Sequence, residues 1–252
     1  MNHDIAACAS IVQRADADRF LAIMSAPLAA REKLFPLFAF NIEVSKAPWV
    51  TQETMIAEMR LQWWRDALEQ IATGQDIRRH EVVTPLAGVL PASMVPLLDQ
   101  MIEARRWDIY KDPFVDEADF QRYIDQTAGN LMCVACGLMG EFPENLVRAV
   151  AYADGLARWF QAIPELEGQS RIPLVDGRPE ALVRLAQHGL EKLNAPRVVD
   201  PAIVPVLRMA WQAKTILKQV VRSPDRVASG ALGTSEFWKK SKLFWLTTTS
   251  TW

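Results

Sequence analysis

The chain has 252 residues, half of them hydrophobic and 23% charged, with a formal net charge of −2. That length holds one large domain with a substantial buried core, and 28 Lys and Arg against 30 Asp and Glu leave no basic face for nucleic acid. Three cysteines are too few for a disulfide scaffold.

Residues 1–10 carry Asp4 and no basic residue ahead of an apolar stretch, a poor export signal, so the cytoplasm is the default compartment. From there apolar residues recur at three- and four-residue spacing almost throughout. The expected helices are 9–25, 29–47, 52–73, 93–107, 117–139, 144–163, 179–192 and 202–221. In the second, Leu34, Leu37, Phe38 and Ile42 form the apolar stripe; in the third, Ile56, Met59, Trp63 and Ala67 do. The charge-free run 126–140 is too short for a bilayer, which needs roughly 20 apolar residues, and reads as a buried helix. Pro164 is expected to end or kink its helix and to open the longest irregular segment, 164–178. The organisation expected is one all-α domain over 1–235, a helical bundle around a central cavity, followed by a tail at 236–252. That tail interleaves basic and aromatic residues and then turns Thr-rich; it reads as a frayed or peripherally packed terminus, or as a segment contacting a partner or a membrane.

Three ordered stretches resemble the squalene/phytoene synthase family. The first is Asp18-Arg19-Phe20-Leu21 with Ala26-Pro27, Arg31 and Leu34 to Asn41. The second, and most specific, is Met59-Arg60-Leu61-Gln62-Trp63-Trp64-Arg65-Asp66-Ala67-Leu68. The third runs from Arg105-Arg106-Trp107-Asp108 to Tyr123, Ala128 and Gly129. The resemblance implies the all-helical isoprenoid (terpenoid) synthase fold. It names as pocket candidates Arg19, Asn41, Glu43, Ser45, Arg60, Trp64, Asp108, Tyr123, Gly129 and Ala162. On the residues alone, Asn41, the Met59–Trp63 stripe and Gly129 read equally as core packing. Arg60 and Trp64, side by side at i, i+4, read as a solvated face or a pocket wall.

Enzymes of that family use two helix-borne pairs of Asp, four residues apart, to share Mg²⁺ with a substrate diphosphate. Matched by resemblance, the first pair falls on Ser45 and Trp49, with Lys46, Ala47 and Pro48 between them. Pro48 disfavours helix at Ala47, so that face should break off. Glu43 lies roughly 200° around the helix from Ser45 and points away from the vacated site. The second pair falls on Ala162 and Leu166, with Glu165 and Glu167 expected beyond the break at Pro164. The family's arginine-rich string survives only as Ser170-Arg171-Ile172-Pro173-Leu174, and Arg19 stands where many members have a small hydroxyl residue.

Asn41-Ile42-Glu43 and Ala162-Ile163-Pro164 resemble one branch of the family, the mitochondrial respiratory complex I assembly factors. The implied reading is a non-catalytic member with no catalytic residues, metal or cofactor. It would have a protein partner in respiratory complex assembly, a lipid or isoprenoid ligand, and peripheral contact with the inner membrane, on the matrix side in a eukaryote. The alternative is a divergent, Mg²⁺-dependent head-to-head prenyltransferase acting on prenyl diphosphates. Cys133 and Cys136 form a CxxC in an apolar helix with no second ligand pair, and read as small buried hydrophobes.

Overall fold

The computed structural model describes residues 3–51, 53–194 and 199–252. Among these there is no strand, as the uniform 3.6-residue periodicity requires. Helices α1 (His3–Ala15), α2 (Ala17–Met24) and α3 (Leu28–Lys46) lead into α4 (Thr54–Thr73). The short α5 (Val83–Ala87) precedes α6 (Val95–Ala104) and α7 (Trp107–Tyr110). Helices α8 (Glu117–Ile124) and α9 (Asn130–Gly137) are joined by a π-helical turn, Asp125–Gly129. The longest helix is α10 (Glu144–Gly168), followed by α11 (Pro179–Lys192), α12 (Val204–Leu207), α13 (Ala213–Arg222), α14 (Asp225–Ala228) and α15 (Glu236–Thr248).

Local chemistry explains where expectation and structure part. The helix expected at 9–25 is two helices, because Asp16 leaves helical geometry to cap α2, its side chain accepting from the Arg19 N–H at 2.8 Å. The expected start at Gln52 lies outside the described residues; α4 begins at Thr54. Its buried face is Ala57, Leu61, Trp64, Ala67, Leu68 and Ile71, while Ile56 and Met59 are exposed. The expected stripe was therefore displaced by about one residue, roughly 100° of rotation. Both adjacent tryptophans satisfied the periodicity, and only Trp64 faces inward, edge-on to Phe40 at 5.3 Å.

Prolines act less uniformly than expected. Helix α10 runs through Pro164 to Gly168, correcting the break expected at 163 and shortening the irregular segment to 169–178. The lost N–H of Pro164 is offset by buried Ile163 and Leu166 on either side, and by closure of the helix through Gln169 N–H to Glu165 O and Arg171 N–H to Leu166 O. Helix α3 likewise passes through the buried Pro36 and stops at Lys46. Ala47 there keeps helical dihedrals, φ −51 and ψ −41. The ladder thus ends because Pro48 has no N–H to give, not because Ala47 is forced out of the α region. Residues 236–252 are not frayed: α15 buries Leu243 and Leu246, and Lys239 reaches Asp18 at 3.0 Å.

The core is one continuous apolar cluster through α3, α6, α8, α9, α10 and α13, in which Phe35, Phe40, Phe120 and Phe160 are fully enclosed. Cys133 and Cys136 lie inside it, and burial pushes the Cys133 thiol up to about 11. At Gly155 helix α10 meets the π turn so closely that a Cβ would stand 2.7 Å from the Ala128 Cβ and 2.9 Å from Ile124 Cγ2. Gly155→Ala should therefore cost about 2 kcal/mol of stability by overpacking. A urea titration should show that loss, and adding Ala128→Gly should recover part of it.

Candidate functional site

A cavity of about 480 Å³ lies between the C-terminal ends of α3 and α10, within the range of small-molecule sites. Phe38, Ile42, Leu131, Met132, Val206 and Met209 give it an apolar floor. The π turn contributes Thr127 and Ala128, the Thr127 hydroxyl donating to Tyr123 O at 2.6 Å. Of the candidates read from the sequence, Arg19, Asn41, Ser45, Asp108, Tyr123 and Ala162 line this space. Four do not. Glu43 faces Lys46 at 3.4 Å, and Arg60 is an exposed side chain of α4. Trp64 packs in the core against Trp63 and Phe40. Gly129 faces the opposite side of its turn, against Asp125 and Arg148.

The four positions that the resemblance assigns to metal-binding aspartates all face the cavity, as Ser45, Trp49, Ala162 and Leu166. Ser45 Oγ donates back to Ile42 O at 3.0 Å, and Trp49 sits in the turn after α3, its N–H donating to Lys46 O at 2.8 Å. The Arg171 guanidinium covers the Trp49 ring at 4.5 Å, with its other nitrogens on the carbonyls of Trp107 and Asp108. The surviving arginine of the eroded string thus holds the 169–178 loop across this end of the cavity. Trp159 Nε1 donates to Pro173 O at 2.9 Å and pins the same loop.

The polar wall consists of two networks that sequence reasoning largely missed. In the first, Arg19 Nη2 meets Asp154 Oδ2 at 3.0 Å, Arg158 Nε meets Asp154 at 3.2 Å, and Arg158 Nη1 meets Asp16 Oδ2 at 2.8 Å. Arg19 is buried, its guanidinium over the Phe38 ring at 4.8 Å. Burial and the neighbouring Arg158 both lower its proton affinity, opposed by Asp154 and Asp16. Burial pushes the Asp16 carboxyl up, but Arg158 and Arg19 outweigh it and hold it below the usual carboxylate range. The available signal was Asp154 and Arg158 at i, i+4 within the otherwise apolar run of α10.

In the second network Arg105 Nη1 donates to the Tyr123 hydroxyl at 2.9 Å and to Asp108 Oδ2 at 3.3 Å, and that hydroxyl donates to Asp108 at 3.2 Å. Burial raises Asp108 despite Arg105, and burial also raises Tyr123. Stacked Trp107 and Phe114, 4.5 Å apart, back this corner with Trp159.

A diphosphate–magnesium site needs several unpaired carboxylates converging on hard cations. The cavity wall instead holds four carboxylates (Asp16, Asp108, Asp154 and Glu165) against four cations (Arg19, Lys46, Arg105 and Arg158). Three of those carboxylates are bonded to arginines. No group of three or more metal-ligating side chains occurs among the described residues, so the donor set does not fit magnesium. Glu165, although on unbroken helix, stands on the cavity without a second acid opposite it.

Asp154→Asn should cost about 3 kcal/mol, because it leaves the buried Arg19 and its neighbour Arg158 to share Asp16 as their one remaining carboxylate. A denaturant titration at neutral pH checks it. Because the folded Asp16 titrates below its unfolded value, it stabilises above pH about 4 and loses that contribution as pH falls through its folded value. Asp16→Asn should accordingly flatten the acid limb of the stability profile.

The squalene/phytoene synthase model matches residues 12–231. An assembly factor 6 homolog of NADH dehydrogenase (ubiquinone) complex I from Drosophila melanogaster is 25% identical over 87% of this chain and 68% of that protein. The human complex I assembly factor 6 is 19% identical over 62% of this chain, which spans 48% of that relative's length. A crystal structure of a dehydrosqualene synthase superposes with a TM-score of 0.76 at 13% identity, covering 98% of this chain and 96% of that one. A squalene synthase from Alicyclobacillus acidocaldarius gives 0.59 at 16% identity, over 98% and 94%. At such identities the two structures establish the isoprenoid synthase fold alone. With a single family model accounting for residues 12–231, and the fold and cavity in agreement with it, this chain belongs to the squalene/phytoene synthase family.

Proposed function

We propose that this chain is a non-catalytic member of its family that assists assembly of respiratory complex I and keeps the cavity for an apolar ligand such as a lipid or isoprenoid chain. The observation that carries this reading is the exchange of all four metal positions for Ser45, Trp49, Ala162 and Leu166 on a wall whose charges cancel internally. Prenyl transfer begins with loss of diphosphate, and the departing charge must be neutralised by a cation held on carboxylates. Among the described residues no such set faces this cavity. The apolar floor needs none of that machinery to accept a hydrocarbon chain. The assembly role is supported by the two similar proteins, both complex I assembly factors. On this reading the chain works at the face of the membrane that holds complex I, cytoplasmic in a bacterium and matrix-side in a mitochondrion.

Purified protein should give no product from farnesyl or geranylgeranyl diphosphate with Mg²⁺, and no Mg²⁺-dependent diphosphate binding by calorimetry. Turnover lost on Glu165→Gln or Glu167→Gln would establish the prenyltransferase instead. Restoring Asp at positions 45, 49, 162 and 166 together should still give no magnesium binding. Ala162 and Leu166 lie on intact helix, but position 49 lies past the end of α3 and under Arg171. Deleting the gene in a host that makes complex I should deplete the assembled enzyme on native gels, and the wild-type chain should restore it.

A further inference from the structure

Helix α15 is built inside out. Its inward side carries lysines: Lys239 bonds Asp18 and Glu236, each at 3.0 Å, and Lys242 bonds the Trp211 carbonyl and the Thr215 hydroxyl. Burial and the nearby Lys214 lower the Lys242 ammonium to about 8. Its outward side carries aromatics, with Phe237 82% exposed, Phe244 72%, Trp245 60% and Trp238 43%. At 100° per residue these four, with Ser241 and Thr248, occupy one arc of roughly 120°, and Lys240 stands about 40° beyond its edge. Burial within this chain does not explain that face, since the packing is already made by Leu243, Leu246 and the inward lysines.

We infer that this face seats the protein on an anionic membrane surface, with α15 lying in the plane of the headgroups. Beside it, α13 presents Lys214, Lys218 and Arg222 as an exposed row at four-residue spacing, with no acid anywhere in that helix. Lys242 lies 5.1 Å from the Trp238 ring and bonds the Thr215 hydroxyl of α13 at 3.2 Å, so the helix that carries the basic row borders the aromatic face. Glu236 is the one acid in α15, and Lys239 neutralises it. Exposed Trp and Phe beside unpaired Lys and Arg match a bilayer interface with anionic headgroups, where rings sit at the acyl boundary and cations meet phosphate. With 13 residues, α15 spans about 20 Å, short of the roughly 30 Å of a hydrocarbon core, so it lies on the bilayer. No helix of the described residues is long and apolar enough to cross a membrane.

Co-sedimentation of the full chain with vesicles tests this, using phosphatidylcholine alone and phosphatidylcholine mixed with phosphatidylglycerol. Wild-type protein should bind the mixed vesicles, more weakly as salt rises, with a blue shift in Trp emission. Phe237→Ser/Phe244→Ser/Trp245→Ser should weaken that binding about tenfold or more, with an unchanged circular dichroism spectrum because the three side chains are exposed. Lys214→Glu/Lys218→Glu/Arg222→Glu should abolish the preference for the anionic lipid. The inference is overturned if wild type stays in the supernatant, or if the aromatic variant binds equally well. It is also overturned if the face instead drives a concentration-dependent dimer in sedimentation that excludes vesicles. Prenyl diphosphate turnover would overturn the proposed function and leave this result untouched.

Discussion

A guanidinium enclosed beside an apolar cavity has to be matched charge for charge, and Arg19 imposes that condition on everything around it. Its partner Asp154 is on α10, the capping acid Asp16 is at the start of α2, and Arg158 closes the ring between them. One buried network therefore sets the approach of the N-terminal helices to the longest helix. It also uses the carboxylates on that wall. A site meant to gather cations leaves acids unpaired; this one pairs them.

The second network and the Arg171–Trp49 stack extend the same logic to the other end of the cavity. Where the resemblance puts a metal ligand, an aromatic ring lies under a guanidinium, and the loop that carries Arg171 is held by the Trp159 indole as well. At the cavity α10 runs unbroken through positions 162 and 166, while α3 ends before position 49. The cavity floor stays apolar, lined by Phe38, Ile42, Leu131 and Met132. Family fold and missing chemistry are thus compatible, because the fold is held by packing and arginine pairs rather than by the positions that changed.

The helical class, the family and the location of the vacated metal positions were legible in the sequence because they depend on periodicity and on ordered local strings. Met59 to Leu68 identified the family while misleading about its own side chains. Two adjacent tryptophans fit the apolar period, and only tertiary packing selects Trp64 for the core. Pro164 was misread because the local cost of a missing N–H was weighed without the buried contacts that offset it. Asp16, Asp154 and Arg158 were passed over because their meaning is a contact between residues some 140 positions apart. Gly129 and Arg60 belong to matching strings yet face away from the cavity, since a string gives order along the chain and not direction around a helix.

Gly155 and Ala128 both border the cavity and touch each other at its wall. The distance between α10 and the π turn is consequently set by a glycine meeting the Ala128 methyl and Ile124 Cγ2, which leaves no room for a larger side chain on α10. That contact works as a fixed ruler. Substitution at Leu131, Met132, Val206 or Met209 can deepen or fill the chamber while its width stays constant. A lineage could in this way reshape the chamber without disturbing the frame that its outer surfaces require.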